Sequence, residues 1–336
     1  MKKVRVTIIG GGTGLSVLAR GLRQYPVGIS AIVSVADDGG STGIIRDQID
    51  MPAPGDIRNV MSALSDMESK LESLFKYRFK KNEISGHALG NLMLAAMYDM
   101  TGDFALAVEE LSDILNVRGT VIPSTNISPK LAARMHDDSI IIGESYIPKV
   151  QQQISEVFLL PKDTTATPEA IEAIEEADII VLGPGSLYTS IIPNLLPSGM
   201  RDALIHSRGT KVYISNIMTQ VGETIGYTAT DHLKAINKHI GQNVFDYIVQ
   251  NERNITSDIS DYYRENGMTV VTSDKDQLDE MGISILTRDN LVSVDKDGAV
   301  RHNNDVIAEI IYDIALTEIS TPVSYTHLTL PTTPYV

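Results

Sequence analysis

A glycine-rich segment follows the first apolar run of the chain, and its residue types suit the binding of a phosphate group. Residues 10–16 read GGGTGLS and come directly after residues 4–9, a β-branched run that predicts a strand. Glycines at a strand-to-helix turn let the backbone approach a ligand, and the start of the following helix offers unpaired N–H groups. Leu15 stands where the dinucleotide fingerprint has its third glycine, and the lysine of a Walker A loop is missing. The segment therefore predicts a phosphate or nucleotide cradle of unspecified type.

Two adjacent carboxylates follow the second predicted strand. Residues 35–43 read VADDGGSTG. Asp37 comes roughly 20 residues after the glycine turn, where an acidic residue binds a ribose hydroxyl in dinucleotide folds. Asp37 and Asp38 together could instead hold Mg²⁺ through water. A helix N-cap followed by a turn explains one of these residues but not the whole run, so we expect a ligand role and leave the two chemistries open.

Two further segments combine glycine with groups that suit acid–base or phosphate chemistry. Residues 53–59, APGDIRN, offer Asp56 as a helix cap or ligand contact and Arg58 as a clamp for the phosphate at the first glycine turn. Residues 85–91, SGHALGN, place His87 near a helix start, where it could act as a general acid or base. A single histidine is more often structural, and the sequence does not decide between the two roles for His87.

A second glycine turn, like the first, lies between a predicted strand and a predicted helix. Residues 182–190, LGPGSLYTS, follow the buried strand predicted at 178–182, and residues 216–220, NIMTQ, follow another predicted strand. In open α/β sheets the carboxyl ends of the strands form the ligand crevice. We therefore expect a second anion site at 182–190, lined by amide and hydroxyl groups of 216–220. Weaker candidates for the same crevice are Gly226, Tyr227, Asp231, His232, Arg301 and His302.

Composition excludes several classes of protein. The chain has no cysteine, so disulfides and zinc–thiolate sites are impossible, and it has no Gly-x-Ser-x-Gly or HExxH motif. Its 28 basic and 43 acidic residues give a net charge of −15, which argues against nucleic-acid binding and favours a small phosphorylated ligand held by local backbone groups. No run reaches 18 apolar residues, and the start of the chain is better explained as a strand than as a signal peptide. We expect a soluble cytoplasmic protein.

The elements that must position these residues alternate between strands and helices. Such alternation predicts a doubly wound, mostly parallel α/β sheet with helices on both faces, interrupted by a helical segment at about 59–116 and a β-hairpin. With no repeat or low-complexity linker, residues 1–318 are expected to form one domain. The predicted strands are 4–9, 29–35, 154–160, 178–182, 211–215, 245–249, 269–272 and 283–286; the predicted helices are 15–25, 59–80, 87–100, 104–115, 168–177, 187–207, 229–240 and 304–318; the hairpin is 130–144.

The end of the sequence differs from the rest in composition. Residues 319–336 hold no Asp, Glu, Lys or Arg and are rich in Thr and Pro, whereas 21% of the whole chain is charged. This composition favours translated vector or adapter sequence over a native, disordered tail.

Six motifs in order resemble the bacterial gluconeogenesis-factor family, whose members are similar to the archaeal 2-phospho-L-lactate transferases of coenzyme F420 biosynthesis. The motifs are GGGTGLS, VADDGGSTG, APGDIRN, SGHALGNL, VLGPGSLYTSIIPNLL and NIMTQVGET, and the resemblance covers about residues 3–318. Val221 departs from the pattern, which often has proline there, and Ser41-Thr42-Gly43 is a conservative departure.

The resemblance implies a three-layer α/β/α, Rossmann-like fold with a nucleotide at the carboxyl edge of the sheet. It implies a cytoplasmic regulatory protein that binds a UDP-sugar such as UDP-N-acetylglucosamine and that growth on gluconeogenic carbon sources, cell shape and cell-wall synthesis require. We expect a homo-oligomer and regulatory protein partners, which the sequence does not identify. The resemblance does not establish a cofactor. The alternatives are a transferase that uses a nucleotide-activated phospho-substrate, with Asp37 or Asp38 on Mg²⁺ and His87 as acid or base, and an NAD-dependent dehydrogenase, which Leu15 disfavours. The expected ligand-binding residues are Gly10, Gly11, Gly12, Thr13, Gly14, Leu15, Ser16, Asp37, Asp38, Gly39, Asp56, Arg58, Asn59, His87, Asn91, Gly183, Pro184, Gly185, Ser186, Thr219 and Gln220.

Overall fold

Short apolar runs of the chain form strands, most of which belong to one parallel sheet. The structure, a computed structural model, describes residues 3–81, 84–252, 257–294 and 299–320. Residues 321–336 of the expected vector-derived tail lie outside these ranges. The strands are β1 (Arg5–Gly10), β2 (Gly28–Val33), β3 (Thr120–Pro123), β4 (Lys130–Met135), β5 (Ile140–Ile142), β6 (Ile154–Leu160), β7 (Ile179–Leu182), β8 (Thr210–Ile214), β9 (Tyr247–Val249), β10 (Ser284–Leu286), β11 (Val292–Val294) and β12 (Val300–His302).

Amphipathic segments between the strands form helices. A π-helical turn at Leu187–Ile191 and a 3₁₀ turn at Ile192–Leu195 stand where prolines were expected to break a longer helix. The α-helices are α1 (Gly12–Leu22), α2 (Gly40–Ile49), α3 (Gly55–Leu64), α4 (Ser69–Phe75), α5 (Leu89–Thr101), α6 (Phe104–Ile114), α7 (Pro168–Glu175), α8 (Met200–His206), α9 (Ala229–Ile240), α10 (Ser257–Glu265), α11 (Lys275–Glu280) and α12 (Asn304–Ser320).

The main sheet has seven strands in the order β10-β9-β8-β7-β1-β2-β3, and every neighbouring pair is parallel. Successive side chains of a strand point to opposite faces, so Ile8 joins the core under α1, α3 and α12, whereas Ile9 joins the core under α7, α8 and α9. Both faces are thus covered, as a parallel sheet requires. The predicted Rossmann-like, three-layer α/β/α fold is confirmed.

The helical segment between β2 and β3 begins earlier than predicted. Helix α2 starts at Gly40, in a segment for which no helix was predicted, and α3 starts at Gly55 rather than at residue 59. The single helix predicted over 59–80 is wrong. Ser65 leaves the helical conformation, its hydroxyl donates to the carbonyl of Leu115, and the chain bridges to Val117 there. Tertiary pairing therefore overrides a helical pattern that continues in the sequence.

The predicted hairpin forms from β4 and β5, and β6 extends it into a three-stranded antiparallel sheet. The strand predicted at 269–272 is wrong. This segment forms an isolated bridge between Val270 and Met218 and single backbone hydrogen bonds, such as that from the N–H of Val271 to the carbonyl of Ile217. It therefore braces the loop after β8 instead of adding to the main sheet. The sequence reading missed β3, β11, β12, α2, α10 and α11.

Because neighbouring strands are parallel, the carboxyl ends of β1, β2, β7 and β8 lie at one edge of the sheet. The segments that follow them, residues 11–16, 34–40, 183–190 and 215–220, are therefore gathered at this edge although they lie far apart in sequence. Within the described residues, no helix has the length and apolar character needed to cross a membrane.

Truncation of a core side chain directly before the second glycine turn tests this architecture. Leu182 is fully buried at the end of β7. We expect Leu182→Ala to lower the free energy of unfolding by about 2–5 kcal/mol through lost burial and the remaining cavity. The matched variant Ile114→Ala removes a side chain that is 65% exposed and should change it by less than about 0.5 kcal/mol. Urea unfolding followed by circular dichroism measures both, and equal losses would contradict the assignment of Leu182 to the core.

Candidate functional site

The two glycine turns lie side by side and face one cavity of about 470 Å³. We call it the glycine-turn cavity. The two glycine turns form two of its walls, and the loop after β8 forms the third. The fourth wall comes from α10, the loop that follows it and the antiparallel strands β11 and β12. Its lining residues include Gly11, Gly12, Thr13, Gly14, Pro184, Gly185, Ser186, Ser190, Asn216, Thr219, Gln220, Tyr263, Arg301 and His302.

Close backbone packing joins the two turns. A Cβ atom on Gly14 would collide with the carbonyl oxygen of Pro184, so only glycine fits at this position. The N–H of Gly183 donates to the carbonyl of Ile9 at 2.9 Å, and the side-chain amide of Asn194 donates to the carbonyl of Gly10 at 2.9 Å. These contacts fix the turns against each other.

The first turn ends at the N-terminus of α1. Gly11, the residue before the helix, has no side chain to cap it, and the first N–H groups of a helix have no partner within the helix. The N–H of Gly12 donates to Oδ2 of Asp56 at 2.5 Å. Burial raises the pKa of Asp56 to about 6, although the bond from Gly12 opposes this rise. Thr13 is exposed and Gly14 lines the cavity, so the next N–H groups suit an anion.

A carboxylate also binds the second turn, and here it accepts from both a backbone N–H and a hydroxyl. Glu223 accepts from the N–H of Tyr188 at 3.0 Å and from the hydroxyl of Thr189 at 2.9 Å. Burial raises the pKa of Glu223. Towards the cavity the turn presents its backbone and the hydroxyl of Ser186, which accepts from Nε2 of Gln220 at 2.9 Å. The second turn therefore supplies shape and neutral hydrogen-bonding groups rather than a free helix N-terminus.

Several residues of the expected ligand site line a different cavity of about 500 Å³. We call it the arginine cavity, because Arg58 and Arg78 both line it. Asp56 lines it too while it accepts from Gly12, and so stands between the two cavities. Arg58 lines the arginine cavity and is not among the residues that line the glycine-turn cavity, so its role as a phosphate clamp stays a prediction. The remaining lining residues are Asp37, Gly39, Gly40, Ser41, Thr42, Gly55, Asn59, Gly86 and Asn91.

The adjacent carboxylates of Asp37 and Asp38 make different contacts. Oδ1 of Asp37 accepts from the N–H of Gly39 at 2.8 Å, and Asp37 lines the arginine cavity. Oδ1 of Asp38 accepts from the N–H of Ser145 at 2.9 Å, which ties it to the loop after the hairpin. Within the part of the chain that the structure describes, no three His, Cys, Asp or Glu side chains are grouped to hold a metal ion.

Six residues of the expected site line neither cavity, namely Gly10, Leu15, Ser16, Asp38, His87 and Gly183. Leu15 is fully buried in the core, and the hydroxyl of Ser16 donates to the carbonyl of Thr13. His87 is 6% exposed, and its Nδ1 lies 3.0 Å from Oγ of Ser41, which lines the arginine cavity.

The weaker candidates divide between structural and cavity positions. Asp231 completes the capping box of α9, and Nδ1 of His232 bonds the carbonyl of Thr228. Arg301 and His302 line the glycine-turn cavity, and Nε2 of His302 bonds the carbonyl of Ser215 at 3.0 Å.

Two charged residues near the site were not predicted from the sequence. Arg46 is 4% exposed; its guanidinium donates to Oγ of Ser128 at 2.7 Å and to the carbonyls of Ala36, Asp37 and Pro129. It thereby holds the segment that carries Asp37. The pKa of Glu144 rises to about 8, chiefly through burial and then through nearby carboxylates, of which Asp37 contributes most. No local pattern marks either residue, because their partners come from distant segments.

The fold and the site define a Rossmann-like α/β protein that presents glycine turns and carboxylates at the carboxyl edge of its sheet. Residues 6–291 match the family model of 2-phospho-L-lactate transferase CofD. The gluconeogenesis factor of Halalkalibacterium halodurans is 58% identical over 240 residues, which cover 71% of this chain and 74% of that protein. The gluconeogenesis factor of Bacillus subtilis is 56% identical over 239 residues, which cover 71% of this chain and 75% of that protein.

A crystal structure of a protein from Bacillus halodurans superimposes with a TM-score of 0.89 at 49% identity and covers 93% of this chain and 100% of that chain. A second crystal structure, of a member of the upf0052 family from the same organism, gives the same TM-score and identity. The chain belongs to the gluconeogenesis-factor branch of the CofD family, as the six motifs predicted.

The raised pKa of Glu144 predicts a pH-dependent stability. The pKa rises from the ordinary 4.5 to about 8 in the folded chain, which therefore keeps a proton that the unfolded chain releases. The free energy of unfolding should fall between these two pH values. Glu144→Gln has no such proton to release, so it should not show this loss of stability. Its melting temperature should therefore exceed that of the wild type. The difference should grow with pH up to about pH 8 and stay constant above it.

Thermal unfolding at pH 5 to 9 measures the margin. Glu110→Gln, at an exposed glutamate of α6, controls for the change in net charge. A margin for Glu144→Gln that shrinks as the pH rises would show that the carboxylate of Glu144 is stabilised in the folded chain.

Proposed function

We propose that the protein is a cytoplasmic regulatory protein that binds a nucleotide-sugar of the UDP-N-acetylglucosamine type in the glycine-turn cavity. The observation that carries the proposal is the pair of glycine turns on the neighbouring strands β1 and β7, packed together around one cavity. Its volume of about 470 Å³ is within the range of small-molecule sites. In this proposal the diphosphate lies on the first turn, against the N-terminus of α1.

The polar groups around the cavity suit the remaining parts of such a ligand. Asn216 and Gln220 offer amides to hydroxyl or base atoms, and Arg301 offers a positive charge to phosphate. The net charge of −15 makes a long-range attraction of anions implausible. Local groups, namely helix N–H groups and one arginine, therefore supply the affinity in this proposal.

The relatives support the regulatory part of the proposal. The proteins at 58% and 56% identity are named gluconeogenesis factors, not enzymes. We infer that this protein likewise supports growth on gluconeogenic carbon sources, and that nucleotide-sugar binding connects it to cell-wall synthesis and cell shape.

Binding of UDP-N-acetylglucosamine should raise the melting temperature, because a ligand that binds only the folded state stabilises it by about 2.7 kcal/mol at one hundred times its Kd. Thr13→Asp should abolish the shift, because a carboxylate at this exposed position repels the diphosphate. The variant should still fold, since an acidic residue in the first turn of α1 suits the helix dipole. Differential scanning fluorimetry with millimolar ligand, with and without Mg²⁺, measures the shift.

The matched control is Gln24→Glu, which adds the same charge at an exposed position just beyond α1 and should leave the shift intact. The proposal is wrong if the wild type shows no shift at millimolar ligand. A full shift in Thr13→Asp would place the ligand elsewhere.

A Mg²⁺-dependent transferase that uses a nucleotide-activated phospho-substrate is the second candidate, and the match to the transferase family model favours it. Mg²⁺ is commonly held by one or two carboxylates together with phosphate and water. Asp37 and Asp56 line the same cavity and so fit this role better together than Asp37 with Asp38. Mg²⁺ bound there would neutralise phosphate charge during transfer.

If this second candidate is correct, the protein should release GMP or UMP from a diphosphate donor in the presence of Mg²⁺. Asp37→Asn should then lower the rate at least about 100-fold, because it removes a carboxylate that holds the ion. Chromatography of the released nucleotide measures the rate, and Asp137→Asn, at an exposed turn of the hairpin, is the control. Equal rates for Asp37→Asn and the wild type would exclude this role for Asp37.

A further inference from the structure

The arginine cavity holds two guanidinium groups that face one space. Arg58 and Arg78 both line it, and they come from separate segments, α3 and the loop after α4. Nη1 of Arg78 donates to the carbonyl of Gly86 at 3.0 Å, which fixes this exposed side chain over the cavity. Within residues 3–81, 84–252, 257–294 and 299–320, neither arginine forms an ion pair within 4.0 Å.

Arg58 is buried without full hydrogen bonding. It is 7% exposed, and its Nη2 donates to Oδ1 of Asn59 at 2.6 Å. Its Nε is buried and has no partner among the described residues. Burial lowers the pKa of the Arg58 guanidinium, the nearby charge of Arg78 lowers it further, and the carboxyl of Asp56 opposes both effects. A buried cation with an unsatisfied N–H and a like charge beside it is costly unless an anion joins it.

The remaining walls of the cavity also offer hydrogen-bond donors. Helix α2 is ten residues long, and its N-terminus at Gly40 and Ser41 lines the cavity without a side-chain cap. The amide of Asn91, on α5, lies 3.4 Å from Oγ of Ser41. Backbone N–H groups, hydroxyls and guanidinium forks are the usual ligands of a tetrahedral oxyanion.

One oxygen of each carboxylate that lines the cavity accepts from a backbone N–H. Oδ2 of Asp56 accepts from Gly12, and Oδ1 of Asp37 accepts from Gly39. Two positive charges and the α2 N-terminus therefore face the space, while each carboxylate has one oxygen engaged by the backbone.

We propose that the arginine cavity is a second ligand site, which binds a phosphate group, either free or in a small phosphate monoester, through Arg58, Arg78 and the N-terminus of α2. The site is separate from the glycine-turn cavity, and Asp56 stands between the two. The protein would thus bind two anionic ligands at neighbouring positions. The proposal does not depend on which nucleotide, if any, occupies the glycine-turn cavity.

Isothermal titration of inorganic phosphate, and in a parallel arm of glycerol 1-phosphate, tests the proposal in Mg²⁺-free buffer. We expect saturable binding to the wild type and a Kd raised about tenfold or more in Arg78→Gln, the size expected for loss of a charge-assisted hydrogen bond. Because Arg78 is exposed, the variant should fold normally, which circular dichroism checks. Tighter binding of glycerol 1-phosphate would identify a monoester as the ligand, and tighter binding of inorganic phosphate would identify the free ion.

Two further variants separate this site from its neighbour. Arg208→Gln removes an exposed arginine before β8, at the opposite edge of the sheet, and should leave the Kd for phosphate unchanged. Thr13→Asp obstructs the glycine-turn cavity and should preserve phosphate binding. The proposal is overturned if the wild type binds neither probe at 20 mM. It is also overturned if Arg78→Gln binds like the wild type, or if Thr13→Asp abolishes binding. The thermal shift with UDP-N-acetylglucosamine and its loss in Thr13→Asp, recorded separately, report on the glycine-turn cavity.

Discussion

The parallel pairing of β1 with β7 is the constraint on which the site depends. In this register Val6 pairs with Ile179 and Ile9 pairs with Leu182. Both strands therefore end at nearly the same level, and the chain turns after each of them. The backbone bond from Gly183 to Ile9 continues this ladder by one residue into the second turn. Since the turns then touch through Gly14 and the carbonyl of Pro184, a change of register would separate them and remove the cavity between them.

Charge at the carboxyl edge is balanced by local contacts rather than by a basic surface. Asp37, Asp56, Glu144 and Glu223 all have a raised pKa, and burial is the largest cause in each case. Backbone N–H groups take up part of this negative charge at Asp37, Asp56 and Glu223, and the buried guanidinium of Arg46 holds the segment of Asp37 from behind. An acidic protein can present an anion site under these conditions, because helix N-termini and single arginines act over short distances, where water screens little.

The division of the polar residues into two cavities changes how the family motifs are understood. A single ligand pocket would need GGGTGLS and APGDIRN to contact the same group, yet Asp56 is their only side-chain link among the described hydrogen bonds. The glycine-turn cavity has the α1 N-terminus, neutral amides and Arg301; the arginine cavity has the α2 N-terminus, two arginines and two carboxylates. A binding protein and a transferase could share this arrangement, because both need two ligands, or two parts of one ligand, held next to each other.

The sequence by itself determined the fold class, the glycine turns and the family. Apolar periodicity and glycine placement are local properties, so β1, the hairpin of β4 and β5, and α9 could be predicted within a few residues. It did not determine where α3 ends, that residues 269–272 stay outside the main sheet, that Arg58 lines the arginine cavity, or that Asp38 accepts from the loop after the hairpin. Glu144 and Arg46 lie outside every motif and gave no local signal. Tertiary structure decided these features, because each depends on contacts between segments that only the sheet order and the crossovers bring together.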